Sequence, residues 1–328
     1  METEKGRFPP PPGLIAAFST GFNAIASHIW VIFFPVLFDL FLWLGPRLSL
    51  KNLVESALEQ YRTIPELTSI NMPDFELVQQ TWRMFADRFN LFVLLRTFPV
   101  GINSLMSGNW PEASPLGGVS PIQANSLFSV LSWSLLLLLL GWILGGIYFH
   151  WVSGVTLKLQ VRSTLVQSIK QTLMLSAIWL FMFFALGTPI FVVFSLLTII
   201  SPLVAEIVLF FLALMTIWLI LPVFFSPHSI FTYQKNALKA IQDSLRMARF
   251  TLPTSGLFLL LYMLISQGLA LLWRSPAENS WLTLVGIAGH AFITTALLAA
   301  SFIYYRDMNT WLQSVLDQIK TKATSAPA

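Results

Sequence analysis

The sequence predicts an all-α polytopic membrane protein, a transmembrane helical bundle of about six spans. Its 328 residues are 55% hydrophobic and 10% charged, whereas a soluble domain has about 25% charged residues. The apolar residues form blocks long enough to cross a bilayer core of about 30 Å, which takes roughly 20 helical residues. Continuous runs such as SLLLLLLGWILGG, within Leu127–Phe149, lack the alternation of β-barrel strands, so helices are the expected spanning form.

Six apolar blocks define the expected spans, and tryptophans mark many of their ends. Trp43, Trp151, Trp273 and Trp281 stand where an aromatic belt is expected at the membrane surface. The stretch Leu14–Ser27 is weakly amphipathic, and we expect it to lie at the interface. The predicted spans are Ile29–Leu44, Leu127–Trp151, Leu173–Leu196, Leu203–Phe225, Ser255–Trp273 and Trp281–Tyr304.

These spans divide the chain into five regions. We expect a cytoplasmic N-terminus with an interfacial helix (1–28), a first span (29–44), an extracytoplasmic helical cap (45–125), a five-span bundle (126–305) and a cytoplasmic C-terminal segment (306–328). In the cap, apolar residues recur at helical spacing between Leu50 and Tyr61. The run Asn90–Phe98 is too short to span and contains Arg96. It is expected either to dip into the outer leaflet or to cover the bundle.

Basic residues orient the bundle. The short connectors 199–202 and 274–280 hold only Arg274, whereas the connectors on the opposite side hold most of the lysines and arginines. Cytoplasmic loops carry an excess of Lys and Arg. The sequence therefore predicts that both termini are cytoplasmic.

The connector Tyr233–Phe250 is the most informative of these basic segments. Lys235, Lys239, Arg246 and Arg249 recur every three or four residues, which predicts an amphipathic helix with one basic face. Such a helix is suited to lie among anionic headgroups, so these four residues are candidate headgroup-binding residues. The alternative interpretation is that they only reflect the general excess of Lys and Arg in cytoplasmic loops.

Two ionisable residues stand inside predicted spans. Asp39 lies about 9 Å and His290 about 14 Å from the outer ends of their spans, at 1.5 Å per helical residue. Intramembrane ionisable groups are rare and usually paired or functional. The two residues are therefore a candidate intramembrane polar pair. Three interpretations stay open: a structural clamp between the first and last spans, an Asp39 near the interface that is bonded to backbone, or a proton or ion relay.

The sequence lacks the motifs that mark several classes of catalytic and binding site. There is no cysteine, so no disulfide or thiolate site can form. Metal-ligand spacing, Walker and Rossmann glycine loops and the GxSxG elbow are also missing, and we predict no catalytic residue, metal or cofactor. The net charge of +4 indicates membrane lipids rather than nucleic acid as partner. Gly141-x-x-x-Gly145 is typical of close helix approach in membranes.

One segment resembles a known family. Ala237–Arg246 (ALKAIQDSLR), followed by Phe250 and Pro253, is similar to the Ala-Leu-x-x-Ser-x-x-Leu cytoplasmic helix of the membrane domain beside some bacterial glycerophosphodiester phosphodiesterases. It also resembles related six-span bacterial proteins, whose last span ends like Tyr304–Asp307. The likeness covers about Leu127–Asp307 and does not include the catalytic domain, so that activity does not carry over. It implies an all-α, lipid-associated protein of the bacterial cytoplasmic (inner) membrane.

Three functions follow as candidates. The leading one is a non-enzymatic accessory or lipid-interacting membrane protein. A small-molecule or ion transporter using Asp39 and His290 is the first alternative, and a membrane-embedded lipid-modifying enzyme is the second. A water-filled cavity that reaches Asp39 would favour transport, whereas a closed bundle would favour the accessory role.

Overall fold

The computed structural model describes residues 10–62, 75–108, 111, 113–117, 121–158 and 163–324. Within these residues the predicted all-α polytopic bundle is confirmed. Two short strands, β1 (Leu48–Ser49) and β2 (Ile122–Gln123), pair in parallel and join the two ends of the cap. The helices are α1 Leu14–Ala26, α2 Phe33–Leu44, α3 Lys51–Arg62, α4 Phe75–Arg88, α5 Leu127–Leu157, α6 Leu165–Ile200, α7 Pro202–Tyr233, α8 Ala237–Trp273 and α9 Thr283–Thr324.

Helices α5 to α9 are each long and apolar enough to cross a membrane. Ser126, Thr164 and Asn236 precede three of them, and each side chain accepts a hydrogen bond from the backbone N–H three residues later. Consecutive helices pack together through short connectors, so they run antiparallel. We call the end with the α5–α6 and α7–α8 connectors the basic end, and the opposite end, on which the described part of residues 45–125 lies, the cap end.

The first span differs from its predicted form. Helix α1 and the segment Ile29–Leu44, which contains α2, are together long and apolar enough to cross a membrane, but they are bent by 91°. Helix α1 packs against the bundle, because Ala17, Gly21 and Ile25 are buried. A Cβ added at Gly21 would lie 2.7 Å from the Cβ of Ala300. The small residue therefore lets α1 pack directly on α9, and the pair makes a sixth, broken span or a re-entrant hairpin.

Helix α9 lies at the centre of the bundle. It contacts α1, α2, α5, α7 and α8, and most of its side chains from Ala291 to Tyr305 are buried. Ala296, Ala299 and Ala300 are fully buried, and small residues of this kind allow helices to approach closely. The apolar part of α6, in contrast, is largely exposed, which is suitable for contact with lipid.

Candidate functional site

An irregular segment of the cap, Asn90–Gly108, is packed into the bundle; we call it the inserted segment. Val100, Ile102 and Leu105 are at most 2% exposed. A Cβ added at Gly141 of α5 would lie 2.6 Å from the carbonyl oxygen of Leu95, so the glycine makes room for backbone.

The Gly-x-x-x-Gly motif thus has a different role from the predicted one. A Cβ at Gly145 would lie 2.9 Å from both the Val100 carbonyl oxygen and the Gly101 Cα. Gly141 and Gly145 therefore receive the inserted segment instead of another helix. The neighbouring Gly146 does face a helix, since its added Cβ would lie 3.3 Å from the Thr172 hydroxyl of α6.

Asp39 of α2 holds the inserted segment in place. Its carboxyl oxygens accept hydrogen bonds from the Ser104 hydroxyl, from the Leu105 N–H at 3.0 Å and from the Met106 N–H at 3.0 Å. Asp39 is 0% exposed. Backbone N–H groups of irregular segments need such acceptors where water is excluded, and Asp39 supplies them.

Asp39 and His290 are not joined directly. Among the described residues, no hydrogen bond or ion pair connects the two side chains, because the turn at Ser104–Met106 occupies the Asp39 carboxyl group. Leu105 of that turn packs near Gly286 of α9, so the inserted segment lies between α2 and α9. The expected clamp between first and last spans is therefore a clamp on the inserted segment, and joint action of Asp39 and His290 in transport stays a prediction.

The polar contacts continue from Asp39 to Arg96. Ser104 Oγ accepts from the Ser107 N–H at 3.0 Å, and Arg96 Nη1 donates to Ser107 Oγ at 2.9 Å. Desolvation of its guanidinium lowers the pKa of Arg96, while the charge of Asp39 acts in the opposite direction. Arg96 is exposed as a whole residue, so this chain of contacts links the interior to the surface of the cap end.

A second guanidinium lies beside the first. A Cβ added at Gly108 would be 2.7 Å from Nη2 of Arg274, in the connector between α8 and α9. The ring of Trp273 packs on Gly289, whose added Cβ would be 2.7 Å from that ring. Three buried nitrogens in this region have no hydrogen-bond partner: Nε of Arg274, Nε1 of Trp273 and Nδ1 of His290. Sequence patterns single out His290 but do not indicate that Arg96 and Arg274 lie near it.

At the basic end, most of the predicted basic face is present. Lys239, Arg246 and Arg249 are exposed on α8, while Ala240 and Met247 on the other face are buried. Lys235 departs from the prediction, since α8 begins at Ala237 and Lys235 lies in the preceding connector.

Lys235 lies outside α8 because α7 is longer than predicted. Helix α7 continues to Tyr233 and ends at Gln234, which has a left-handed conformation with φ of 54°. Lys235 is directed toward Asp243, with 3.9 Å between Nζ and Oδ2. Asp243 also accepts a hydrogen bond from Ser229 Oγ at 3.0 Å. Lys235 is therefore tied to the connection between α7 and α8.

Sequence reasoning missed a buried histidine near the basic end. His228 is 1% exposed, and its Nε2 lies 2.7 Å from the hydroxyl of Ser301 on α9. Ser226 in the same turn accepts a hydrogen bond from Trp179 Nε1 at 3.1 Å. The predicted span ended at Phe225, and the sequence Ser-Pro-His-Ser that follows was the available signal for a polar helix end.

The described residues do not place three or more His, Asp or Glu side chains together as metal ligands. The groups at the cap end that can bind a ligand are instead the positively charged guanidinium groups of Arg96 and Arg274, which are hydrogen-bond donors. Comparison of the chain with family models, curated proteins and solved structures finds no match. The resemblance to the membrane domain beside glycerophosphodiester phosphodiesterases stays a prediction.

Proposed function

We propose that this integral membrane protein has a non-enzymatic accessory role in which its basic end binds anionic lipid headgroups. The observation that carries the proposal is the exposed row of Lys239, Arg246 and Arg249 on α8. These side chains lie on the part of α8 that precedes the bend at Thr251, whose φ of −126° and ψ of 19° interrupt the helix. The bend separates this basic, amphipathic part of α8 from its apolar, membrane-crossing part.

The opposite face of this part of α8 anchors it to the bundle. Ala237, Ala240, Ser244 and Met247 are at most 1% exposed, so the helix cannot turn its basic face inward without losing that packing. Each Lys or Arg near an anionic membrane surface contributes about 1 kcal/mol to binding. A fixed, exposed row of three such residues supports headgroup binding.

The surroundings of Asp39 support an accessory role over transport. A transport site would need access from water or from a cavity, whereas Asp39 is 0% exposed and binds three donors of the inserted segment. As part of the same proposal, we place the protein in the bacterial cytoplasmic membrane with both termini cytoplasmic. The positions of the basic residues and the family resemblance of Ala237–Arg246 support this placement.

The proposal is tested with the full-length protein in vesicles of phosphatidylcholine containing phosphatidylglycerol. Spin-labelled lipids report the preference of the protein for phosphatidylglycerol over phosphatidylcholine. We expect Lys239→Gln, Arg246→Gln and Arg249→Gln together to lower this preference, by up to roughly fivefold per residue if each contributes about 1 kcal/mol.

Two controls separate headgroup binding from general charge. Replacing the same residues by Lys239→Arg, Arg246→Lys and Arg249→Lys keeps the positive charge and should keep the preference. Arg83→Gln removes an exposed positive charge of α4 at the cap end and should leave the preference at this face unchanged. An unaltered preference in the triple glutamine variant would refute the proposal.

A further inference from the structure

We propose that the cap end contains a phosphate-binding site, formed by Arg96 and Arg274, that the headgroup of an anionic phospholipid occupies. The site is separate from the basic face of α8, because it lies at the opposite end of the bundle. It does not depend on the proposed function of that face.

The two guanidinium groups converge on consecutive residues of the inserted segment. Arg96 Nη1 donates to the hydroxyl of Ser107 at 2.9 Å, and Arg274 Nη2 would lie 2.7 Å from a Cβ at the adjacent Gly108. Arginine presents its donors in a planar fork that fits phosphate oxygens in a bidentate manner. Two forks beside one turn therefore form a geometry suited to one phosphate group.

The positive charge of this pair is not balanced by acids. Among the described residues, neither Arg96 nor Arg274 forms an ion pair within 4.0 Å. Asp39 is the acid that acts electrostatically on Arg96, and its oxygens are already occupied by the inserted segment. Two guanidinium groups without an ion-pair partner carry positive charge that an additional anion would neutralise.

Unpartnered buried donors point independently to a ligand. His290 is 6% exposed, and its Nδ1 has no hydrogen-bond partner. The ring of Trp273, which precedes Arg274, packs on Gly289, which precedes His290, so His290 lies beside the connector that carries Arg274. The Nε of Arg274 is also buried without a partner. Buried polar groups are nearly always hydrogen-bonded. A phosphate offers acceptor oxygens to the Arg274 Nε–H, and to His290 in the tautomer that carries its proton on Nδ1.

The position of the site favours a lipid phosphate over a free anion. Trp43 and Trp281 lie edge to face at 6.0 Å between ring centroids, and Trp43 Nε1 donates to the Glu278 carbonyl oxygen at 2.9 Å. Tryptophans are enriched at headgroup level. Arg274 is in the same connector as Glu278, so these tryptophans support a position at headgroup level for its guanidinium.

The test uses the full-length protein in a non-ionic detergent and calorimetric titration with three probes. Dihexanoyl phosphatidylglycerol represents the anionic lipid, dihexanoyl phosphatidylcholine the zwitterionic lipid, and inorganic phosphate the free anion. We expect the wild-type protein to bind phosphatidylglycerol most tightly. Arg96→Gln and Arg274→Gln should each weaken this binding at least tenfold, and the double variant should lose little more because both residues serve one site.

Two further variants keep the test decisive. Gly108→Ala keeps all charges but displaces the Arg274 guanidinium, so it should also weaken binding while the protein stays folded. Arg83→Gln on α4 removes an exposed charge that is not part of the site and should have no effect. If Arg96→Gln unfolds the protein, Arg274→Gln and Gly108→Ala still test the site, since neither removes the hydrogen bond to Ser107.

Three results would overturn the inference. The first is a wild-type protein that binds neither phosphatidylglycerol nor phosphate. The second is an equal affinity in the Arg274→Gln and Arg83→Gln variants. The third is tighter binding of inorganic phosphate than of phosphatidylglycerol, which would overturn the assignment to a lipid.

Discussion

Charged residues are used in opposite ways at the two ends of the bundle. At the basic end, Lys239, Arg246 and Arg249 stand exposed on a regular helix. At the cap end, Asp39 is completely buried and Arg96 reaches inward to Ser107 on an irregular segment. Charges of the first kind can change with little effect on the fold, whereas those of the second kind support it.

The difference follows from how backbone groups are satisfied. In α8 the N–H and C=O groups bond to each other within the helix, so its side chains are free to face the membrane surface. The turn Ser104–Met106 has two N–H groups that rely on Asp39. Such groups are costly when unsatisfied in an apolar environment. An irregular segment inside a membrane bundle therefore requires a polar side chain that a helix does not.

Loss of the Asp39 carboxyl group should have the largest effect on stability. Asp39→Ala leaves the Ser104 hydroxyl and two backbone N–H groups without their acceptor, and we expect a loss of about 3–5 kcal/mol, as when one partner of a buried polar pair is removed. Thermal unfolding of the purified protein in detergent measures it.

Glu206 provides the matched control for Asp39. It is an acid in an apolar helix, but it is exposed in the first turns of α7. Glu206→Ala should cost at most about 1 kcal/mol, the usual size of a favourable charge near a helix N-terminus. Equal losses in the two variants would contradict the contrast between buried and exposed charges.

Gly141 should show the next largest effect, because it makes room for the inserted segment. In Gly141→Ala the new Cβ would lie 2.6 Å from the Leu95 carbonyl oxygen, and overpacking of this kind costs about 1–3 kcal/mol. Gly187→Ala is the control, since a Cβ at Gly187 meets no heavy atom within 4 Å. Alanine is the better helix former, so Gly187→Ala should not destabilise. Protease cleavage within residues 90–108, measured alongside thermal unfolding, should increase in Gly141→Ala alone.

Much of the helical scaffold could be predicted because one physical signal dominates it. An apolar block of about 20 residues has few alternatives to a membrane helix, and five long helices match predicted spans. The basic face of α8 follows from side-chain spacing in a helix. The prediction that Lys235 belongs to this face was wrong, because α7 continues past Pro227 to Tyr233 and leaves Lys235 in the connector. Proline within membrane helices is tolerated because neighbouring groups satisfy the freed carbonyls.

The cap-end site could not be predicted in the same way. Asp39 was recognisable as unusual, yet its partners Ser104 to Met106 are 65 to 67 residues away in a segment without helical periodicity. Gly141 and Gly145 fit a helix-packing motif equally well, because a glycine only indicates that something approaches closely. What approaches is set by long-range packing, and no local pattern reports it. The same holds for Arg96 and Arg274, since Arg96 binds Ser107 and Arg274 lies beside the adjacent Gly108.

The smallest effect is expected at the surface of the cap, where Lys51 and Asp87 pair between α3 and α4. Their charged atoms are 2.9 Å apart, and both side chains are about half exposed. The hydrogen bond to Asp87 raises the pKa of Lys51. The stabilisation is therefore fully present below the unfolded pKa of lysine, about 10.4, and is lost as the pH rises through the folded-state value.

Lys51→Met should lower the unfolding temperature less than Gly141→Ala does at neutral pH. In 1 M salt the screening length is only about 3 Å, so the difference in unfolding temperature between Lys51→Met and the wild type should disappear. A difference that persists in salt would show that Lys51 acts through packing instead of charge.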